Sequence, residues 1–363
     1  MVACDECLRR TWLLERMGGH LDFRLSSMID VLELDDRSLI ELTTGALRRR
    51  LEQGYARFGG DTVREMTTRA TASGVEMLCR CAGLYPAQLR AVRAAPAVLH
   101  VAGGLERFLE LSADDPVALV GSRGATPYGL DAARMLGRGV CASGLTVVSG
   151  MAPGVDGAAH EGALAAGGRT IAVIAGCASE SYPRSQRGLH RRILAAGAVV
   201  SETGPGTPVR RWMLPARNRI IAALSRIVIL VQGAERSGAG LTVLAAREYG
   251  RPVGAVPGSV MLDQSTASNA LLAQGAGVIR DAQDVLDLVF GAGLRDAPAA
   301  RGVTVELDQS QREVVDAIRA GADTAGALAR RGYGGEHGLA MLARLELMGV
   351  ISRRAGGRYV ICG

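Results

Sequence analysis

Val117-Ala118-Leu119-Val120-Gly121-Ser122-Arg123-Gly124-Ala125-Thr126-Pro127-Tyr128-Gly129 reads as a strand, a tight turn and the start of a helix. A short continuous apolar run that ends in Gly is the pattern of a strand buried on both faces, as in a parallel sheet. Proline suits the first turn of a helix, where its missing N–H costs nothing. The free N–H groups and the positive dipole end of that helix then face the strand end, a setting for an anion. The glycines at 121, 124 and 129 do not form the G-x-G-x-x-G dinucleotide fingerprint.

The unit repeats in variant form along the chain. Strands are expected at 145–150, 170–175, 199–200, 227–231 and 253–256, with helices at 127–142, 154–166, 186–196, 217–224 and 242–249 between them. Such alternation predicts an α/β fold with a Rossmann-like, doubly wound, mainly parallel sheet. Its ligands belong at the carboxyl ends of the strands.

Outside this core, residues 1–95 read as a helical N-terminal region, with helices over 12–25, 31–34, 39–51 and 77–92. An apolar strand is expected at 96–101, opening a core that runs over 96–290. Residues 291–305, rich in Gly, Ala and Pro, read as a linker. Residues 306–363 read as a small winged-helix-like domain, with helices at 310–320, 324–331 and 336–348 and a hairpin over 351–360 that turns at Ala355-Gly356-Gly357.

Composition narrows the function. The chain has 363 residues, 48% hydrophobic, a net charge of +6 and aromatics at only 4%. All 42 basic residues are Arg, so a Lys-dependent Walker loop is excluded and a phosphate clamp must be guanidinium or backbone N–H. Charges interrupt the early apolar residues and no long apolar run follows, so no signal peptide or membrane span is expected. With seven scattered Cys, a cytoplasmic protein with reduced thiols is expected. Cys4 and Cys7 form a C-x2-C pair, and Cys79 and Cys81 a tighter C-x-C pair far away in sequence. Separate thiols are therefore expected rather than zinc, and no metal or cofactor is assigned.

The motifs at the expected strand ends carry the chemistry. Gly121, Ser122 and Arg123 offer backbone, hydroxyl and guanidinium to a phosphate. Ser149-Gly150 leads through Gly154 to Asp156 and His160, four residues apart on one helix face. They form an acid/base pair on one reading. On the preferred one, Asp156 is an acceptor orienting Arg123 or backbone, and His160 is a buried structural residue. Pro215-Ala216-Arg217-Asn218-Arg219-Ile220-Ile221 reads as a basic helix start. Ser237-Gly238-Ala239-Gly240-Leu241-Thr242 and Val256-Pro257-Gly258-Ser259 are further Gly/Ser turns after strands. Several such turns along one sheet edge exceed the needs of a mononucleotide and suit successive phosphates.

In this order the motifs resemble those of the DprA/Smf (DNA-processing protein A) family. The shared elements are Gly121-Ser122-Arg123, Tyr128-Gly129, Ser149-Gly150, Asp156, Ala159-His160, Thr170 to Val173, Tyr182-Pro183, Ser201-Glu202, Arg217-Asn218-Arg219, Ser237-Gly238, Thr242 and Pro257-Gly258. The resemblance implies a non-catalytic protein, often dimeric. It would bind single-stranded DNA, protect it on entry, and hand it to the RecA recombinase in natural transformation. It implies that Ser122 and Arg123 grip phosphate and that Gly150 and Gly154 let the strand approach. Arg217, Asn218 and Arg219 would line the groove near Ser237, Gly238 and Thr242. The chain departs from the family at Leu214, where an aromatic residue is common, which leaves Trp212 as the candidate for base stacking. Ala239 and Gly240 also alter the family's hydroxyl-bearing turn.

Two other classes compete. A nucleotide-binding Rossmann enzyme, such as a phosphoribohydrolase, would carry P-G-G-x-G-T-x-x-E, which is absent. A duplex-binding winged-helix regulator would read DNA through residues 336–348, a stretch with few basic residues, aided by Arg353, Arg354 and Arg358.

Overall fold

The structure is a computed structural model that describes residues 3–235, 237–298, 307–347, 350–353 and 356–361. Linker residues 299–305, Met348, Arg354 and Ala355 lie outside the described residues. The chain divides into two compact units, Met1–Ala297 and Pro298–Gly363.

The first unit is built on nine strands: β1 Glu76–Cys79, β2 Val98–Ala102, β3 Val117–Gly121, β4 Val147–Ser149, β5 Thr170–Val173, β6 Ala198–Ser201, β7 Ile227–Gln232, β8 Val253–Ala255 and β9 Gly277–Val278. They lie in the order β1-β2-β6-β5-β4-β3-β7-β8-β9. From β6 to β9 every pairing is parallel, while β2 runs antiparallel to both β1 and β6. The expected doubly wound sheet is therefore present.

Alternate residues of the central strands face opposite layers. Ala118, Val120, Val148, Val228 and Leu230 pack in one core with Phe108, Ile220 and Val243. Val117, Leu119, Val147, Ile227 and Ile229 pack in the other with Leu136, Val155 and Val285. Both faces are covered by helices, which is why these strands read as unbroken apolar runs.

The chain winds from β3 out to β6 on one side and then restarts at β7 on the other. The carboxyl ends of β3 and β7 diverge at this switch point, and a crevice opens there. Gln232 ties the two strand ends together. The Ser122 amide donates to the Gln232 carbonyl at 2.7 Å, and the Thr126 amide donates to Gln232 Oε1 at 2.8 Å. The pairing of β3 with β7 slips by one residue at Gly121 to permit this. Thr126 caps the helix Pro127–Ala142, accepting from the Gly129 amide at 3.3 Å.

The N-terminal region differs from expectation. Residues 77–92 are not one helix: Glu76–Cys79 is β1, followed by a turn and a short helix Ala87–Arg90. Pairing with β2 overrides the weak helical pattern of Glu-Met-Leu-Cys. The region is thus not wholly helical but supplies a sheet edge. The first helix is Asp5–Met17, followed by short 3-10 helices Gly18–Phe23 and Leu25–Ser27 rather than a continuation to 25. These helices pack Leu13, Met17, Leu21, Leu32 and Leu39 against Trp212 and Met213.

The second unit has helices Gln309–Arg319, Ala325–Arg330 and Gly335–Leu347 and a two-stranded antiparallel sheet of Ile351–Arg353 with Tyr359–Ile361. Asp308 and Gln311 form a capping box at its first helix. The arrangement is winged-helix-like, as expected. Among the described residues no helix is long and apolar enough to cross a membrane.

Arg219 is a structural ion pair in this fold. Its side chain is 2% exposed, and its Nη2 donates to Glu202 Oε1 at 2.6 Å. Nε donates to the Ala94 carbonyl at 2.9 Å, which ties the helix to the segment before β2. Removing one partner of such a pair leaves a buried charge uncompensated. Arg219→Ala should lower unfolding free energy in urea by about 3–5 kcal/mol. Adding Glu202→Gln should recover part of that loss; a cost below about 1 kcal/mol would refute the assignment.

Candidate nucleic-acid interface

A cavity of about 560 Å³ lies at the switch point. Its walls come from the turn after β3 (Gly121 to Gly124), the side of helix Met213–Leu224 (Arg217, Asn218) and the turn before helix Ala239–Glu248 (Ser237, Gly238, Thr242). Eight of the eleven sequence-assigned residues therefore meet there: Gly121, Ser122, Arg123, Arg217, Asn218, Ser237, Gly238 and Thr242.

Their freedom differs. Arg123 is exposed and has no carboxylate partner among the described residues. Ser122 Oγ accepts from the Gly124 amide at 3.1 Å, which rounds the turn and leaves its hydroxyl proton available. Asn218 Nδ2 donates to the Gly238 carbonyl at 3.2 Å and so joins two walls. Ser237 Oγ is buried without a hydrogen-bond partner, an unsatisfied group at the cavity wall. Thr242 is buried in the floor.

Arg217 is held differently. Its Nη1 donates to the Val173 carbonyl at 2.8 Å and, more closely, to the Gly150 carbonyl, while Nη2 lies 3.7 Å from Asp156 Oδ2. Burial pushes the Asp156 carboxyl up, and Arg217 pulls it back. Burial likewise pushes the guanidinium down, and Asp156 opposes that shift. Each charge is thus retained by the other at the cavity floor.

Three assigned residues do not line the cavity. A Cβ at Gly150 would collide with the Arg217 guanidinium. Gly154, with φ +91°, would meet the Ser122 and Arg123 carbonyl oxygens. What these glycines admit closely is the protein's own guanidinium and first turn. Arg219 points to Glu202 instead, because two residues along a helix turn a side chain through about 200°. The stretch 215–219 also sits inside helix Met213–Leu224, not at its start. Trp212 is fully buried among the N-terminal helices, so it offers no face to a base. Exposed rings nearer the strand ends are Tyr128, whose hydroxyl donates to the Pro257 carbonyl at 2.7 Å, and Tyr182.

The loops after β5 and β6 add cations that no motif marked. Arg184, Arg187, Arg210 and Arg211 are exposed and have no carboxylate partner among the described residues. With Arg123 they occupy loops and helix starts along the carboxyl edge of the parallel sheet. Glu180 lies in the loop after β5 and Glu235 in the loop after β7, so the edge is mixed but predominantly basic.

The acid/base reading of Asp156 and His160 has no geometric support. His160 Nδ1 is 2.7 Å from Thr170 Oγ1, and the ring is fully buried. Burial, reinforced by the Arg217 charge, drives its pKa down to about 3. This gives a pH test. An unfolded histidine binds its proton near pH ~6.5, and folded His160 refuses it until about 3. Within that window the unfolded chain holds the extra proton, so acidification destabilises the fold. The slope is about 1.4 kcal/mol per pH unit for one such group. His160→Gln should lose stability less steeply than the parent between about pH 6.5 and about pH 5 in denaturant titrations; parallel slopes would contradict the assignment.

The family model for DNA recombination-mediator protein A matches residues 76–290. The DNA processing protein DprA of Bacillus subtilis is 34% identical over 247 residues, 68% of this chain and 80% of that protein. That of Streptococcus pneumoniae is 39% identical over 202 residues, 56% of this chain and 70% of that protein. The S. pneumoniae crystal structure superposes with a TM-score of 0.63 at 29% identity, covering 79% of this chain and 98% of that one. DNA processing protein A of Helicobacter pylori, whose structure addresses its single-stranded DNA binding mode, superposes with a TM-score of 0.53 at 27% identity. It covers 60% of this chain and 96% of that one.

Proposed function

This chain belongs to the DNA recombination-mediator protein A family, and from that premise we propose that it binds single-stranded DNA along the carboxyl edge of its parallel sheet. The observation that carries the proposal is the unpaired Arg123 at the mouth of the switch-point cavity, continued by Arg184, Arg187, Arg210 and Arg211 on neighbouring loops. A cavity alone suits one nucleotide. A row of free guanidinium groups beyond it suits a backbone of several phosphates. The H. pylori relative lends support through its single-stranded DNA binding mode.

In this reading Arg123 pairs with a phosphate and the Ser122 hydroxyl donates beside it, with Gly121 forming the turn that carries both. Asn218, Ser237 and Gly238 form the facing wall, with Thr242 below. Arg217 holds the floor in shape and adds positive potential. Gly150 and Gly154 act through packing. Tyr128 and Tyr182 present the ring faces on which bases stack. The protein acts as a binder rather than a catalyst, since Asp156 is engaged with Arg217 and His160 with Thr170. As the family resemblance implies, it works as a homodimer in the cytoplasm, protects incoming DNA and passes it to the RecA recombinase in natural transformation.

Fluorescence anisotropy with labelled oligo-dT and a matched duplex, over a salt series, tests the site. Oligo-dT should bind in preference to duplex. Arg123→Ala should reduce the log–log salt slope by about one, without altering thermal stability. Absence of binding at low salt, or equal duplex binding untouched by the substitution, would overturn the proposal.

A further inference from the structure

The fold brings together two cysteine pairs that sequence separation keeps apart. Cys4 occupies the N-cap of helix Asp5–Met17 and Cys7 lies in its first turn. Cys79 ends β1, and Cys81 sits in the turn that follows, where the Ala82 amide donates to the Cys79 carbonyl at 2.9 Å. Because β1 is a sheet edge and not a helix, this turn meets the start of the chain. The sulfurs of Cys4, Cys7 and Cys79 all lie within 4.8 Å of one another, and Cys7 Sγ is 3.6 Å from Cys81 Sγ.

The spacing has a chemical meaning. Four sulfurs at about 2.3 Å from a tetrahedral metal stand about 3.8 Å from each other. A disulfide would need about 2.05 Å, and these cysteines are free thiols. Apolar burial accounts for Cys7 and Cys79, which are 1% and 6% exposed. It does not account for Cys81, which is exposed, or for Cys4, which is half-buried, turning toward the same point. Cys4 makes no side-chain capping bond at its helix, so its sulfur is uncommitted there.

We propose that Cys4, Cys7, Cys79 and Cys81 form a four-thiolate zinc site that staples the first helix to the sheet edge. A closed set of sulfur ligands from two short knuckles is the donor chemistry of structural zinc. The wet side at Cys81 gives the ion an entry path, and the helix N-terminus favours thiolate. The staple acts beyond its own corner. Further along the same N-terminal segment, Glu15 accepts from the Gly204 amide at 2.7 Å and Asp22 from the Trp212 amide at 2.9 Å. Those amides belong to the loop that carries Arg210 and Arg211, so the metal fixes the segment that braces the basic edge.

The test uses the full, untagged chain purified without chelator under reducing conditions. Elemental analysis should find about one zinc per chain. Cobalt(II) replacing it should show the thiolate charge-transfer and visible bands of a tetrahedral sulfur site. Cys4→Ser/Cys81→Ser, which alters the two more accessible ligands, should lose the metal while keeping its circular dichroism. Chelation should speed amide exchange across residues 5–17 and leave β3 protected. A folded chain without zinc that gives no cobalt–thiolate band on reconstitution would overturn the proposal. So would iron in place of zinc, or undiminished zinc in the double variant.

Discussion

The Arg217 guanidinium, buried where the strand ends diverge, is the interaction on which the rest of the edge depends. It draws together the carbonyls of Gly150 and Val173 and the carboxylate of Asp156. The loops after β4 and β5 and the helix Val155–Ala165 therefore share one buried cation. Its presence forbids a side chain at position 150 and fixes the height of the cavity floor. A charge this deep is held by its partners at a desolvation cost, and the opposed shifts of Asp156 and Arg217 express that balance. Arg123 stands above it with no partner of its own. One guanidinium shapes the site and the other is left for a ligand.

Some arginines outside this edge are neutralised by carboxylates: Arg93 by Asp30, Glu33 and Glu248, and Arg134 by Glu161 and Asp131. Along the carboxyl edge the exposed arginines lack acidic partners among the described residues. Surface pairs contribute little stability, so pairing or its absence at the surface matters chiefly for potential. The net charge of the chain is +6, and the unpaired edge arginines contribute positive potential where a polyanion would lie.

Much of the architecture was legible because local and global signals agree. Apolar strands ending in Gly, Pro127 at a helix start and the alternation with helices all point to one sheet with its ligands at one edge. The errors arose where tertiary context decides. Glu-Met-Leu-Cys has no local mark of a strand and becomes one only by pairing with β2. That misreading hid the meeting of the cysteines, since a helix over 77–92 would carry Cys79 and Cys81 in another geometry. Arg217 and Arg219 look equivalent in sequence, yet helical rotation sends one to the cavity and the other to Glu202. The basic residues at 184, 187, 210 and 211 belong to no motif, and only the parallel direction of β5 and β6 places them on the edge.

The central claim is that DNA lies along the carboxyl edge of the sheet. Photocrosslinking of the full chain to an oligo-dT bearing 5-iodouracil, followed by peptide mass spectrometry, locates that path directly. Crosslinks should concentrate in the loops around 121–128, 180–187, 210–218 and 237–242. Crosslinks confined to the unit Pro298–Gly363, or to the helices before β1, would contradict the account.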